Sequence, residues 1–220
     1  MDELQPLGSR VKKFQSAYKF FLVAQIFFVI SSFEIVSRFK ILSILFSLLG
    51  LFGALAFILL FVALFRLRNY NRGFNLSLVT FGILTAVVII KDVCSYSTDD
   101  FYIIWGKALE WSEVTLRCIM YAYFFIGVRA FFTELNIAKN SPKNKIATFS
   151  FIGLFVIERV LAFLLFFDAI KLDIVANRIC TYGKMILTVT IYIYILVITI
   201  IIVAIINKRG KEISLDEKTE

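Results

Sequence analysis

A chain of 220 residues that is 60% apolar has too little polar surface for a soluble fold, and its apolar residues come in blocks of about 20 rather than in amphipathic stripes. The net charge of +8 would suggest nucleic acid in a soluble protein. Here the basic residues collect at the ends of the apolar blocks, so no nucleic-acid partner is expected; topology and anionic-lipid contacts account for them. The absence of histidine removes imidazole metal ligands, His-ligated haem and histidine general bases. Cys94, Cys118 and Cys180 are far apart and form no C-x-x-C pair, so neither a metal nor a cofactor is expected.

In chain order, residues 1–16 (MDELQPLGSRVKKFQS) form a short cytoplasmic N-terminal segment. No A-x-A-like cleavage site follows the first apolar block, which is therefore expected to remain as a helix. Residues 17–206 read as a single membrane domain of six helices: Ala17–Ser37, Ile41–Phe65, Phe74–Val93, Ala108–Phe131, Ile146–Ile170 and Met185–Ile206. The last block contains TVTIYIYI, whose β-branched alternation suggests a strand. Barrel strands need only about 9–11 residues and a polar alternate face, so the length of the block favours a helix. Residues 207–220 form a charged cytoplasmic tail without apolar periodicity, expected to be disordered.

The basic residues set the expected orientation. With a cytoplasmic N-terminus, the inner segments carry 15 Lys and Arg, among them Arg10, Lys12, Lys13, Arg66, Arg68, Arg72, Lys208 and Lys211. The outer segments carry 7, namely Arg38, Lys40, Lys91, Lys107, Lys171, Arg178 and Lys184. That excess, with an even number of helices, places both termini inside. The expected fold is all-α: an integral membrane bundle of six transmembrane helices with N- and C-termini cytoplasmic. The lipid bilayer is its first partner, and composition points to a bacterial or archaeal plasma (inner) membrane.

Within this frame, Ser43, Ser47, Gly50 and Ala54 form a small-residue stripe on the second helix, of the kind that lets helices approach closely. Pro6 and Pro142 both lie outside the helices, so the broken helices of many secondary transporters are not signalled. Tyr102, Trp105 and Trp111 in the outer connection fit an interfacial aromatic belt, with FYIIW lying along the surface.

The informative residues are the charges inside the apolar blocks. Glu158 is 12 residues from either end of the fifth block, roughly 18 Å at helical rise, and Arg159 follows it. In the fourth block, Glu110, Glu113, Arg117 and Tyr121 are spaced three, four and four and share a face. Glu34, Arg38, Lys91, Asp92 and Asp168 lie at helix ends on the outer side. These placements define an expected polar cavity open to the outside. Arg117, Glu158 and Arg159 form its floor, Glu113 and Tyr121 lie beside them, and Glu34, Arg38, Lys91, Asp92, Glu110 and Asp168 form its mouth. The expected internal pair is Glu158 with Arg117, because adjacent residues point about 100° apart on a helix. The competing structural reading is that these charges only fix helix register or snorkel to headgroups.

Three function classes follow. The first is binding or transport of a small polar solute, zwitterionic or anionic, with the arginines facing an acid and Glu158 an amine. The six-helix arrangement with both ends inside resembles the substrate-binding subunits of some vitamin importers at the level of architecture only; the first helix lacks their Ala-x-x-x-Ala pattern. The second is a non-catalytic accessory subunit, immunity factor or scaffold associating with other membrane subunits. The third, a membrane enzyme, ranks last, because no G-x-S-x-G, H-E-x-x-H or Gly-rich phosphate loop occurs.

Overall fold

The computed structural model describes residues 7–32, 43–95, 100–134, 153, 156–157 and 174–219. Among them the chain forms five long helices and no strand: α1 Leu7–Ser32, α2 Ser43–Leu67, α3 Arg72–Ser95, α4 Asp100–Glu134 and α5 Ile174–Thr219. Four stretches are long and apolar enough to cross a membrane: Gly8–Ser32, Arg72–Cys94, Ala108–Glu134 and Ile186–Glu212. The chain is therefore all-helical with the helices of a membrane protein. The fifth expected helix, Ile146–Ile170, lies outside the described residues apart from Gly153, Val156 and Ile157, which are helical.

The helices fall into two compact units. The first comprises α1, α2 up to Ala63, and α5; the second comprises the end of α2 from Leu64, with α3 and α4. In the first unit, α1 and α5 run antiparallel. Gln15 Nε2 donates to the Ile206 carbonyl at 3.2 Å, the Tyr18 hydroxyl approaches the Thr199 side chain, and the rings of Phe28 and Tyr192 stack at 5.8 Å. The Thr199 hydroxyl itself donates to the Ile195 carbonyl at 2.7 Å.

The buried residues explain this pairing. Those on the seam are Val11, Phe14, Tyr18, Phe21, Gln25, Phe28 and Ser32 on α1, and Tyr192, Ile195, Thr199, Ile202 and Ile206 on α5, with Ala17, Ala24 and Ile191 buried beside them. Both sets alternate spacings of three and four, the seam of helices packed at a shallow left-handed crossing. Exposed apolar residues, such as Val23 and Ile26 on α1 and Ile193, Val197 and Ile200 on α5, cover the other faces, as lipid-facing surfaces require. Phe27 and Phe28 meet Phe52 and Phe57 of α2 at ring distances of 5.3 and 5.5 Å.

Four expectations need revision. α1 begins at Leu7, not Ala17, because Val11 and Phe14 are already seam residues buried to 1% and 0% exposure. Residues 101–105, FYIIW, belong to the first turns of α4, which begins at Asp100, not Ala108. Residues 207–219 continue α5 as helix. There Arg209 Nη1 pairs with Glu212 Oε2 at 3.0 Å, one turn on, and Gly210 lies against α1 so closely that a Cβ on it would come within 2.5 Å of Gln15 Nε2. Of the small stripe on α2, Ala54 is exposed, and the small residues buried on that helix are Ala56 and Ala63. The side chains of Ser43 and Ser47 lie outside the described residues.

Candidate functional site

The second unit positions the charges. α3 and α4 are antiparallel, since Asn71, Phe74 and Ser77 meet Gly127, Phe124 and Met120 in turn. Their seam again alternates three and four: Phe74, Ser77, Phe81 and Leu84 on α3, and Met120, Phe124, Gly127 and Phe131 on α4.

The turn before α3 is fixed by Asn71. Its Oδ1 accepts from the Phe74 N–H at 3.2 Å, an N-cap to the helix, while its Nδ2 donates to the Gly127 carbonyl at 2.8 Å. A Cβ on Gly73 would stand 2.7 Å from the Gly127 nitrogen and 2.8 Å from its Cα, so the two backbones meet there with no side chain between them. One step along, the buried Ser77 hydroxyl donates to the Met120 carbonyl at 3.0 Å.

At the opposite end of the helix pair the seam becomes ionic. Glu113 Oε2 accepts from Lys91 Nζ at 2.5 Å, and its other oxygen, Oε1, accepts from Arg117 Nη2. Glu113 and Arg117 continue the α4 seam four and three residues apart from their neighbours, and Lys91 lies two heptads of spacing beyond Ser77 on α3. Glu113 is five residues and Arg117 nine residues inside the apolar stretch that begins at Ala108, about 8 and 14 Å at helical rise. Each carboxylate oxygen thus meets one cation, which compensates a charge that would be unfavourable in hydrocarbon. The cluster is not sealed. The side chains of Lys91 and Arg117 keep 28% and 18% of their surface, against 11% for Glu113.

The other expected site residues are placed as follows. Tyr121 is buried at 1% exposure, one turn beyond Arg117. Glu110 and Asp92 are exposed. Glu34, Arg38, Glu158, Arg159 and Asp168 lie outside the described residues, and with them the expected pair of Glu158 with Arg117. Among the described residues, Arg117 pairs with Glu113. Its i, i+4 spacing was readable in the sequence, whereas the link from Lys91 to Glu113 needed the helices brought together. Cys94 and Cys118 are free thiols. Among the described residues no group of three Cys, Asp or Glu is arranged to hold a metal ion.

No protein-family model matches the chain, and no significant match was found among curated proteins or solved structures.

Proposed function

We propose that the chain is a six-span membrane protein with both termini cytoplasmic, and that it binds or transports a small polar solute through a cavity open to the outer side. The observation that carries this reading is the Lys91–Glu113–Arg117 cluster. It holds three formal charges within an apolar helix pair, yet both of its cations keep accessible surface. Charges at that depth are stable where water or a polar solute reaches them. An acid between two bases offers a zwitterionic solute a carboxylate contact at Arg117 or Lys91 and an amine contact at Glu113. Glu110 and Asp92 stand at the mouth of the cavity in this proposal. The antiparallel pairing of α1 with α5 brings the start of the first helix and the end of the last to one side, in keeping with an even number of spans.

A second reading has its own support. Glu113 and Arg117 occupy seam positions, where a polar residue selects one register at some cost in stability. On that reading the protein is a non-catalytic accessory, immunity or scaffold subunit, and the cluster is structural.

Thermal unfolding of the purified protein with amino acids, vitamins and inorganic ions, repeated on Arg117→Gln, separates the two. Solute-dependent stabilisation that is lost in the variant supports the cavity. A broad panel without any stabilising solute, with intact partners recovered from membranes, supports the accessory subunit.

A further inference from the structure

We propose that the paired ends of α1 and α5 form a docking site for the phosphate headgroups of anionic phospholipids. This proposal does not rest on the solute-binding reading.

In the sequence, two basic clusters lie almost 200 residues apart. Arg10, Lys12, Lys13 and Lys19 belong to one, and Lys208, Arg209 and Lys211 to the other. The antiparallel seam brings them to the same end of one helix pair. Gln15 bonds the Ile206 carbonyl there, and the lack of a side chain at Gly210 lets α5 lie against Val11 and Gln15. Val11, Phe14 and Ile206 are buried beneath this end, so the basic residues flank a solid apolar seam and not a mobile tail.

Lys12, Lys19, Lys208 and Lys211 are all exposed. Lys12 and Lys19 are seven residues apart on α1, and Lys208 and Lys211 three apart on α5, so each pair shares a helix face. Among the described side chains on these two helix ends, Glu212 is the only acid, and it is paired with Arg209. The apolar stretches Gly8–Ser32 and Ile186–Glu212 end at this point, which sets Lys12, Lys208 and Lys211 within about 6 Å of the headgroup level when those stretches span the bilayer, while Lys19 lies about 16 Å in. Lysine ammonium groups bind phosphate as point charges, and each basic residue near an anionic leaflet adds to the attraction.

The test reconstitutes the full chain in nanodiscs of mixed phosphatidylcholine and phosphatidylglycerol and measures by native mass spectrometry which lipids remain bound. The wild type is expected to retain phosphatidylglycerol over phosphatidylcholine by at least about tenfold relative to the bulk mixture. K12Q/K208Q/K211Q is expected to lose that preference, and the charge-preserving Lys→Arg triple variant to keep it. Should the glutamine variant insert poorly, K12Q and K208Q/K211Q are each expected to show a partial loss. Equal retention of the two lipids by the wild type overturns the proposal. So does an undiminished preference in the glutamine variants, which would show that phosphatidylglycerol is held elsewhere on the chain.

Discussion

Gly73 of α3 rests directly on Gly127 of α4: a Cβ added to Gly73 would lie 2.7 Å from the Gly127 nitrogen and 3.0 Å from the Tyr123 carbonyl oxygen. Every clashing atom is backbone, so Gly73→Ala can be relieved only by parting the helices. It is expected to destabilise the protein by about 1–3 kcal/mol. Gly127→Ala meets Asn71 Oδ1 and the Phe74 ring at 3.0 Å, side chains that can yield, and should be milder. Gly82→Ala meets nothing within 4 Å and should be neutral or stabilising by up to about 1 kcal/mol through helix propensity. Equilibrium unfolding in mild detergent would rank the three, and equal effects would contradict the close approach.

Glu113→Gln leaves two cations in the seam with only a neutral amide between them. The expected loss is about 2–3 kcal/mol, less than for a fully buried pair because the side chains of Lys91 and Arg117 are only partly buried. The double variant Glu113→Gln/Arg117→Gln is expected to be less destabilised than the sum of its single variants, since each removes the same contact. Strict additivity in that cycle would show that the contact contributes nothing.

Asn71→Ala removes both the helix cap at Phe74 and the donation to the Gly127 carbonyl. A loss of about 1–2 kcal/mol is expected. Asn71→Asp should recover part of it, because the carboxylate still accepts from the Phe74 N–H but cannot donate to Gly127. Identical stabilities for the Ala and Asp variants would remove the cap from the account.

On the other helix pair, Gly210→Ala drives a methyl toward Gln15 Nε2 and Val11 Cγ1. Gln15→Ala opens that space while losing the bond to the Ile206 carbonyl. Gly210→Ala should therefore be harmful in the wild type and nearly harmless in the Gln15→Ala background, with a coupling of about 1 kcal/mol. Independent effects would mean that α1 and α5 are not in contact at this point.

The apolar blocks behind α2, α3, α4 and α5 were legible because hydrocarbon-length runs stand out from polar connections. The helix-to-helix seams were not. On α1 the alternation of Phe14, Tyr18, Phe21, Gln25 and Phe28 is present in the sequence, but beyond Lys19 the exposed face, with Val23 and Ile26, is equally apolar, so no amphipathic contrast reveals it there. The same masking hid the start of α1, where Arg10, Lys12 and Lys13 read as a flanking segment although Val11 and Phe14 already belong to the seam. At the candidate site the shared face of Glu113, Arg117 and Tyr121 followed from helical spacing alone. That Lys91 reaches Glu113 depended on the antiparallel register of α3 and α4, set near Asn71, Gly73 and Gly127 at the far end of the pair.

The central claim is that the charged end of α3 and α4 is reached by water from the outer side of the membrane. It is tested most directly by placing a single cysteine at position 117, with Cys94, Cys118 and Cys180 replaced by serine, and exposing intact cells to a membrane-impermeant methanethiosulfonate. The account predicts rapid labelling of Arg117→Cys from outside and none from the cytoplasmic face in inverted vesicles. A cysteine there that is labelled only from the cytoplasmic face, or from neither side in a folded protein, would contradict it.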